Sequence, residues 1–177
     1  MASDFTALLA DQVGNEFGAS QQYIAVAVWF EQETLPELAG FFYQQAVEER
    51  NHAMMLLKFQ MDTGRSAALP GVSTPRSDFS APVEPVQLAL AQERRVTEQI
   101  TALANAARAE SDYQAEQFIQ WFLKEQVEEV SSMNDLLKVI EHAGSNVLLV
   151  EDYLTRQAAK ATGGVDPTAP PAAGGAL

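Results

Sequence analysis

Glu49, Arg50, Asn51 and His52 form a Glu-x-x-His step. On a helix, residues three apart share a face, so this step offers a carboxylate and an imidazole side by side. Glu16, Glu93 and Glu129 stand at comparable places elsewhere in the chain, with Gln126 three residues before Glu129. Four carboxylates and one imidazole make an oxygen-rich donor set that suits iron or manganese. Two divalent cations would balance four such carboxylates. No cysteine is present, which excludes disulfides, thiolate metal sites and cysteine nucleophiles.

These residues carry that meaning only if helices bring them together. Four long stretches have apolar or small residues at steps of three and four, the mark of one helix face. The first runs through Phe5, Leu9, Val13, Ser20, Tyr23, Ala27 and Phe30, and the second through Leu38, Phe42, Ala53, Leu56 and Phe59. The third has Val86, Leu90, Ile100, Leu103 and Ala107, and the fourth Phe118, Phe122, Met133, Leu136 and Ile140. Glu16, the pair Glu49 and His52, Glu93, and the pair Gln126 and Glu129 interrupt these four stripes near the middle of each helix. The four interruptions therefore meet at one level when the helices assemble. No lysine or arginine falls on the same stripes, and a lone buried ion costs several kcal/mol even after relaxation. A bound cation is the remaining source of positive charge.

Helix ends are marked by Leu35-Pro36, Gly64, Ser111-Asp112 and His142-Ala143-Gly144. His142, at a helix C-terminus, serves as a favourable charge there. Thr63 to Pro85, with Pro70, Pro75, Pro82 and Pro85, is too long and proline-rich for a helical hairpin. A helix of 27 residues is about 40 Å long, and 20 extended residues span up to about 65 Å. The connection can thus return along the whole bundle and leave the second and third helices parallel. A short fifth helix follows, with Val147, Leu148, Val150 and Leu154 on or near one face. Residues 1–161 read as one domain, and 162–177, made largely of Gly, Pro and Ala, as a disordered tail.

Charge narrows the function classes. Asp and Glu number 24 against 11 Lys and Arg, a net charge of -13, the wrong sign for nucleic acid and the right one for cations. No apolar run is long enough to span a bilayer, and no basic region followed by an apolar run opens the chain. The expectation is a cytoplasmic protein without nucleic-acid or membrane partners.

The stretches Asn15-Glu16-Phe17 with Gln21-Gln22-Tyr23, Gln44 to Ala53 around Glu49 and His52, and Glu116-Gln117-Phe118 through Trp121-Phe122 to Glu129 resemble the bacterial non-haem ferritins. The similarity runs over nearly the whole chain and is nearest the mycobacterial, actinobacterial kind. It implies an all-α, ferritin-like four-helix bundle with one long crossover and a short fifth helix. It also implies a homo-oligomeric cage of twenty-four subunits and a ferroxidase that oxidises Fe(II) with O2 or H2O2 and stores the iron as mineral. Carried onto this chain, Glu16 and His52 would hold one iron, Glu49 would bridge, and Glu93 and Glu129 would hold the second, with Gln126 beside the pair. Glu48, Glu125 and Glu128, with Glu129, would form a third iron site. Tyr23 and Trp121 would be neighbouring redox-active or hydrogen-bonding aromatics. Glu116 aligns with acidic channel positions of the family and reads equally as a solvated surface residue.

Haem-containing bacterioferritins resemble the same bundle but repeat Glu-x-x-His on the fourth helix, where this chain has Gln126-Val127-Glu128-Glu129. They also place methionine after the bridging glutamate, where this chain has Arg50. The expectation is iron without haem. Two other readings stand beside storage: a di-iron oxidase or peroxidase that stores nothing, and a non-catalytic bundle that buffers metal.

Overall fold

The computed structural model describes residues 4–159 and 166–177. Five helices occupy the first span: α1 (Phe5–Gln32), α2 (Pro36–Asp62), α3 (Val83–Ala109), α4 (Tyr113–Ala143) and α5 (Leu148–Ala158). The fold is an all-α bundle of four long helices with a short fifth.

Local chemistry sets the ends. Asp4 caps α1 by accepting from the Thr6 amide at 2.9 Å, and Asp112 caps α4 by accepting from the Ala115 amide at 3.0 Å. Pro36 opens α2, where a missing amide proton is harmless. Gly144 ends α4 with φ 57°, a left-handed conformation that glycine adopts without strain. Pro85 falls inside the first turn of α3 rather than in the connection. First-turn amides have no partner within the helix, so proline fits there.

Contacts across the bundle fix direction. Ser20 Oγ donates to the Ala46 carbonyl at 2.6 Å, and Tyr23 packs on Phe42, so α1 and α2 are antiparallel. Arg108 on α3 meets Glu116 on α4, and Thr97 meets Gln126, so that pair is antiparallel too. The Phe5 amide donates to Glu110 at 2.7 Å while Tyr23 reaches Glu93, which sets α1 against α3. It follows that α2 and α3 are parallel, joined by the long crossover.

The core divides in two. One cluster centres on Tyr23, Phe30, Leu38, Phe42, Val86 and Leu136, the other on Phe5, Leu9, Leu56, Ile100, Ile119 and Phe122. Between them lies a layer of buried polar side chains: Glu16, Glu49, His52, Glu93, Gln126 and Glu129. The stripe residues expected to face inward are buried except Phe59 and Phe118, which are partly exposed and stack on each other at 4.1 Å.

The helix α5 differs from its expected face. Val150 is fully buried, but Leu148 is 66% exposed. The helix is held by a polar contact as well: Glu151 accepts from the Glu37 and Leu38 amides, each at 2.9 Å, and so caps α2, whose own Leu35 has no capping side chain. The tail also differs from expectation. Residues 166–177 lie against α2 and α4, because backbone groups and small side chains find partners there: the Ala173 amide donates to the Met54 carbonyl at 3.0 Å, and Ala169 and Ala172 pack on the second core cluster. The expected domain limit at 161/162 lies among residues outside the described ones.

Replacing Glu151 by alanine removes two charge-assisted hydrogen bonds at a helix N-terminus. We expect a loss of about 1–2 kcal/mol, read by calorimetry as a melting temperature lower by a few degrees; an unchanged melting temperature would show that α5 docks through Val150 alone.

Candidate metal centre

The polar layer is nearly sealed. Glu93 is 0% exposed, Glu16 and Glu49 1%, Gln126 3%, His52 4% and Glu129 6%. Each of the four long helices contributes, because each apolar stripe is interrupted at the same height. Among the described residues no lysine or arginine pairs with these carboxylates.

Two donor groups emerge. Ligand atoms of Glu16, Glu49 and His52 lie within 4.8 Å of one another, and so do those of His52, Glu125 and Glu129. Atoms bound to one ion at about 2.1 Å are at most about 4.2 Å apart, so sub-ångström side-chain shifts would close either group on a cation. His52 belongs to both, and its Nδ1 lies 3.4 Å from Glu49 Oε2. Glu93 joins neither triad; the Tyr23 hydroxyl donates to one of its oxygens. Glu16 Oε2, Glu49 Oε1 and Glu93 Oε2 are buried without a hydrogen-bond partner. An orphaned buried carboxylate oxygen is costly unless something cationic meets it, so the residues fit metal.

Electrostatics agree. Burial pushes the Glu49 carboxyl well above the usual range, with Glu93 and Glu16 adding to it. Glu129 is raised likewise by burial, then by Glu93. Burial lifts Glu93 to about 7 even though the Tyr23 hydrogen bond pulls it down. Burial lowers His52, keeping the imidazole neutral and fit to donate a lone pair. The Tyr23 phenol is pushed up by burial, then by Glu93 and Glu49.

Sequence reasoning missed two members. Gln12, 1% exposed, donates to Glu16 Oε1 at 2.8 Å; its signal was the four-residue step to Glu16. Thr97 donates to Gln126 Oε1 at 3.0 Å and fixes that amide. Glu125, expected at a third iron site, comes close enough to share a donor group with His52 and Glu129. Of the other carboxylates expected at a third iron site, Glu48 and Glu128 are exposed. Glu125 is half-buried, its carboxyl raised by burial and then by the Glu128 charge. Glu116 is held by Arg108, whose Nε donates to it at 2.9 Å.

A family model described as a ferritin-like domain matches residues 6–143. The chain belongs to the ferritin family. It is 53% identical over 173 residues to ferritin BfrB of Mycolicibacterium smegmatis, covering 98% of this chain and 94% of that one. It is 36% identical over 138 residues to a bacterial non-heme ferritin of Staphylococcus aureus, covering 78% of this chain and 83% of that one. Among solved structures it superimposes on an open-pore ferritin from the archaeon Archaeoglobus fulgidus, with TM-score 0.82, 26% identity and coverage of 86% and 94%.

The raised carboxyls give a pH dependence. Glu49, Glu93 and Glu129 hold protons in the folded metal-free chain at pH values where the unfolded chain has released them. Their stabilising contribution is therefore present below their ordinary range, about 4.5, and is lost as pH rises through the folded values, about 7 for Glu93. The metal-free protein is expected to melt several degrees higher at pH 5.5 than at pH 7.5, and a divalent metal to close the gap. Equal metal-free melting at both pH values would contradict the protonated layer.

Proposed function

We propose that this chain is an iron-storing ferritin subunit that oxidises Fe(II) at a di-iron centre within the subunit. The observation that carries the reading is the sealed layer of four carboxylates and one imidazole in which oxygens of Glu16, Glu49 and Glu93 lack partners. In this reading iron is the substrate. Glu16 and His52 bind one ion, Glu49 bridges, and Glu93 and Glu129 bind the other. Gln126, fixed by Thr97, borders the pair. Tyr23 holds Glu93 by its hydroxyl.

The residues explain why oxidation is favoured. Hard anionic carboxylates bind Fe(III) more strongly than Fe(II), and the low-dielectric layer enlarges that difference. Each of two Fe(II) ions yields one electron. Dioxygen takes both, with two protons, and leaves as hydrogen peroxide; peroxide as oxidant takes two electrons and two protons and leaves as water. Carboxyls raised by burial release protons when Fe(II) binds, supplying them close to the reaction.

Glu48, Glu125 and Glu128, with Glu129, form the third iron site and the way out of the layer. The exposed Leu148 and Leu149 on α5 find cover in a closed homo-oligomer of twenty-four subunits that encloses the mineral. No helix is long and apolar enough to cross a membrane, and the proposed compartment is the cytoplasm. Arg50, partly buried and donating to Asn51, stands where the haem-binding relatives have methionine, so the proposal includes no haem.

Stopped-flow oxidation at about two Fe(II) per subunit separates the roles. Glu49→Ala should lose the fast phase, by at least the roughly hundredfold that outer-shell partners of a metal reach. Glu128→Ala should keep that phase and slow later turnover. The reverse pattern would show that the buried layer is not the oxidation site. Protein made in haem-replete cells should scatter light as a particle far above 19.3 kDa and show no Soret band. A stable dimer would overturn storage, and a stoichiometric Soret band the haem assignment.

A further inference from the structure

His52 is the imidazole that both donor triads share, so its ring orientation matters twice. The ring torsion of histidine is a broad well, and metal-bound imidazoles are ordinarily aimed by a hydrogen bond from the second ring nitrogen to a fixed acceptor. Here the carboxylates around the ring are themselves the candidate ligands. Orientation falls instead to two aromatic rings on α4. Trp121 meets the imidazole at 5.7 Å between centroids and 72°, and Phe122 at 5.8 Å and 72°. The two rings brace each other at 5.0 Å and 89°.

Trp121 in turn has one polar anchor among the described residues. Its Nε1–H donates to Asp166 Oδ2 at 3.1 Å, across 45 residues of chain. The Asp166 carboxylate is set in advance: its Oδ1 accepts from the Thr168 amide at 2.8 Å and the Thr168 hydroxyl at 2.7 Å, and Lys124 Nζ lies 3.5 Å from Oδ2. The segment that carries Asp166 is fastened on both sides of His52 in sequence. The Leu177 amide donates to Asn51 Oδ1 at 3.1 Å, and the Ala173 amide to the Met54 carbonyl at 3.0 Å.

We propose that Asp166 is a positioning residue for the metal centre: by holding the Trp121 indole it fixes the His52 imidazole against both donor triads. The inference rests on the di-iron reading above. Asp166 touches no reacting atom. It acts through a hydrogen bond and an aromatic contact, from the far end of the chain. A partly buried indole N–H left without its acceptor favours other ring positions, and the imidazole edge then loses one of its two walls.

The test uses the full-length assembled protein and CoCl2, whose visible spectrum reports ligation by carboxylate and imidazole. Trp29→Phe leaves Trp121 as the sole tryptophan, since the chain has two. In that background Asp166→Ala should shift the Trp121 emission to the red and weaken the first Co(II) bound by about tenfold, the low end for groups that orient a metal ligand. Particle size should stay the same. Trp121→Phe should weaken Co(II) by a similar factor, and Asp166→Ala added to it should cost nothing further, because the two act in series. Unchanged emission and Co(II) affinity in Asp166→Ala would overturn the proposal, as would independent, additive losses in the double variant. Failure of Asp166→Ala alone leaves the di-iron reading standing, whereas parent protein that takes up no Co(II) overturns both.

Discussion

Four carboxylates and an imidazole share a sealed layer in which no cationic side chain among the described residues answers them, and the rest of the bundle is arranged around that constraint. Each ionised carboxylate taken from water costs several kcal/mol even in a relaxed site. The chain meets this in two ways: burial keeps protons on Glu49, Glu93 and Glu129, and neutral donors from Tyr23 and Gln12 satisfy single oxygens on Glu93 and Glu16. What remains is a set of orphaned oxygens that a cation can answer. The two apolar clusters on either side supply the stability that such a layer lacks.

A layer drawn from four helices also demands register. A slip of one residue moves a side chain 1.5 Å along the axis and about 100° around it, enough to turn Glu16 or Glu93 out of the layer. Several contacts at the bundle ends oppose such slips. Glu110 receives the first amide of α1, and Arg65 from the crossover pairs with Asp112 while covering Phe5 and Phe59. At the other end Glu151 binds the first amides of α2. These groups lie far from the layer and take part in no chemistry there. Their work is to keep the helices level.

Legibility in the sequence followed periodicity. Glu16, Glu49, His52, Glu93, Gln126 and Glu129 stood out because each interrupts an apolar stripe, and the structure brings them to one height. Periodicity alone made Tyr23 a core aromatic and the family resemblance made it a neighbour of the pair; the fold shows that its hydroxyl reaches Glu93. Gln12 lies on a stripe too, but an uncharged amide there carries no electrostatic demand and passes unnoticed. Glu125 is one residue off the stripe, close enough for a long side chain to turn inward toward His52. Glu151 and Asp166 had no periodic signal at all. Their partners are backbone amides 113 and 114 residues away and an indole 45 residues away, and pairing across such distances is decided by tertiary packing. The tail shows the same limit. Its composition has no apolar repeat, so nothing local announces that Ala169 and Ala172 will find a groove.

The acids on the α2–α4 face form a series in hydration. Glu129 is 6% exposed, Glu125 is half-buried, and Glu48 and Glu128 are exposed. A cation moving outward along that series meets carboxylates that are progressively better solvated. Each therefore contributes a weaker local field, and water replaces protein oxygens in stages rather than at once. In the proposed reading this lets iron leave a tight site without crossing a single steep desolvation step. The segment from Asp166 to Leu177 touches Asn51, Met54, Trp121 and Lys124 on the same face. In the two proposals, the groups that aim His52 and the carboxylates that lead away from it thus occupy one surface, and the packing of residues 166–177 is the link between that surface and the buried centre.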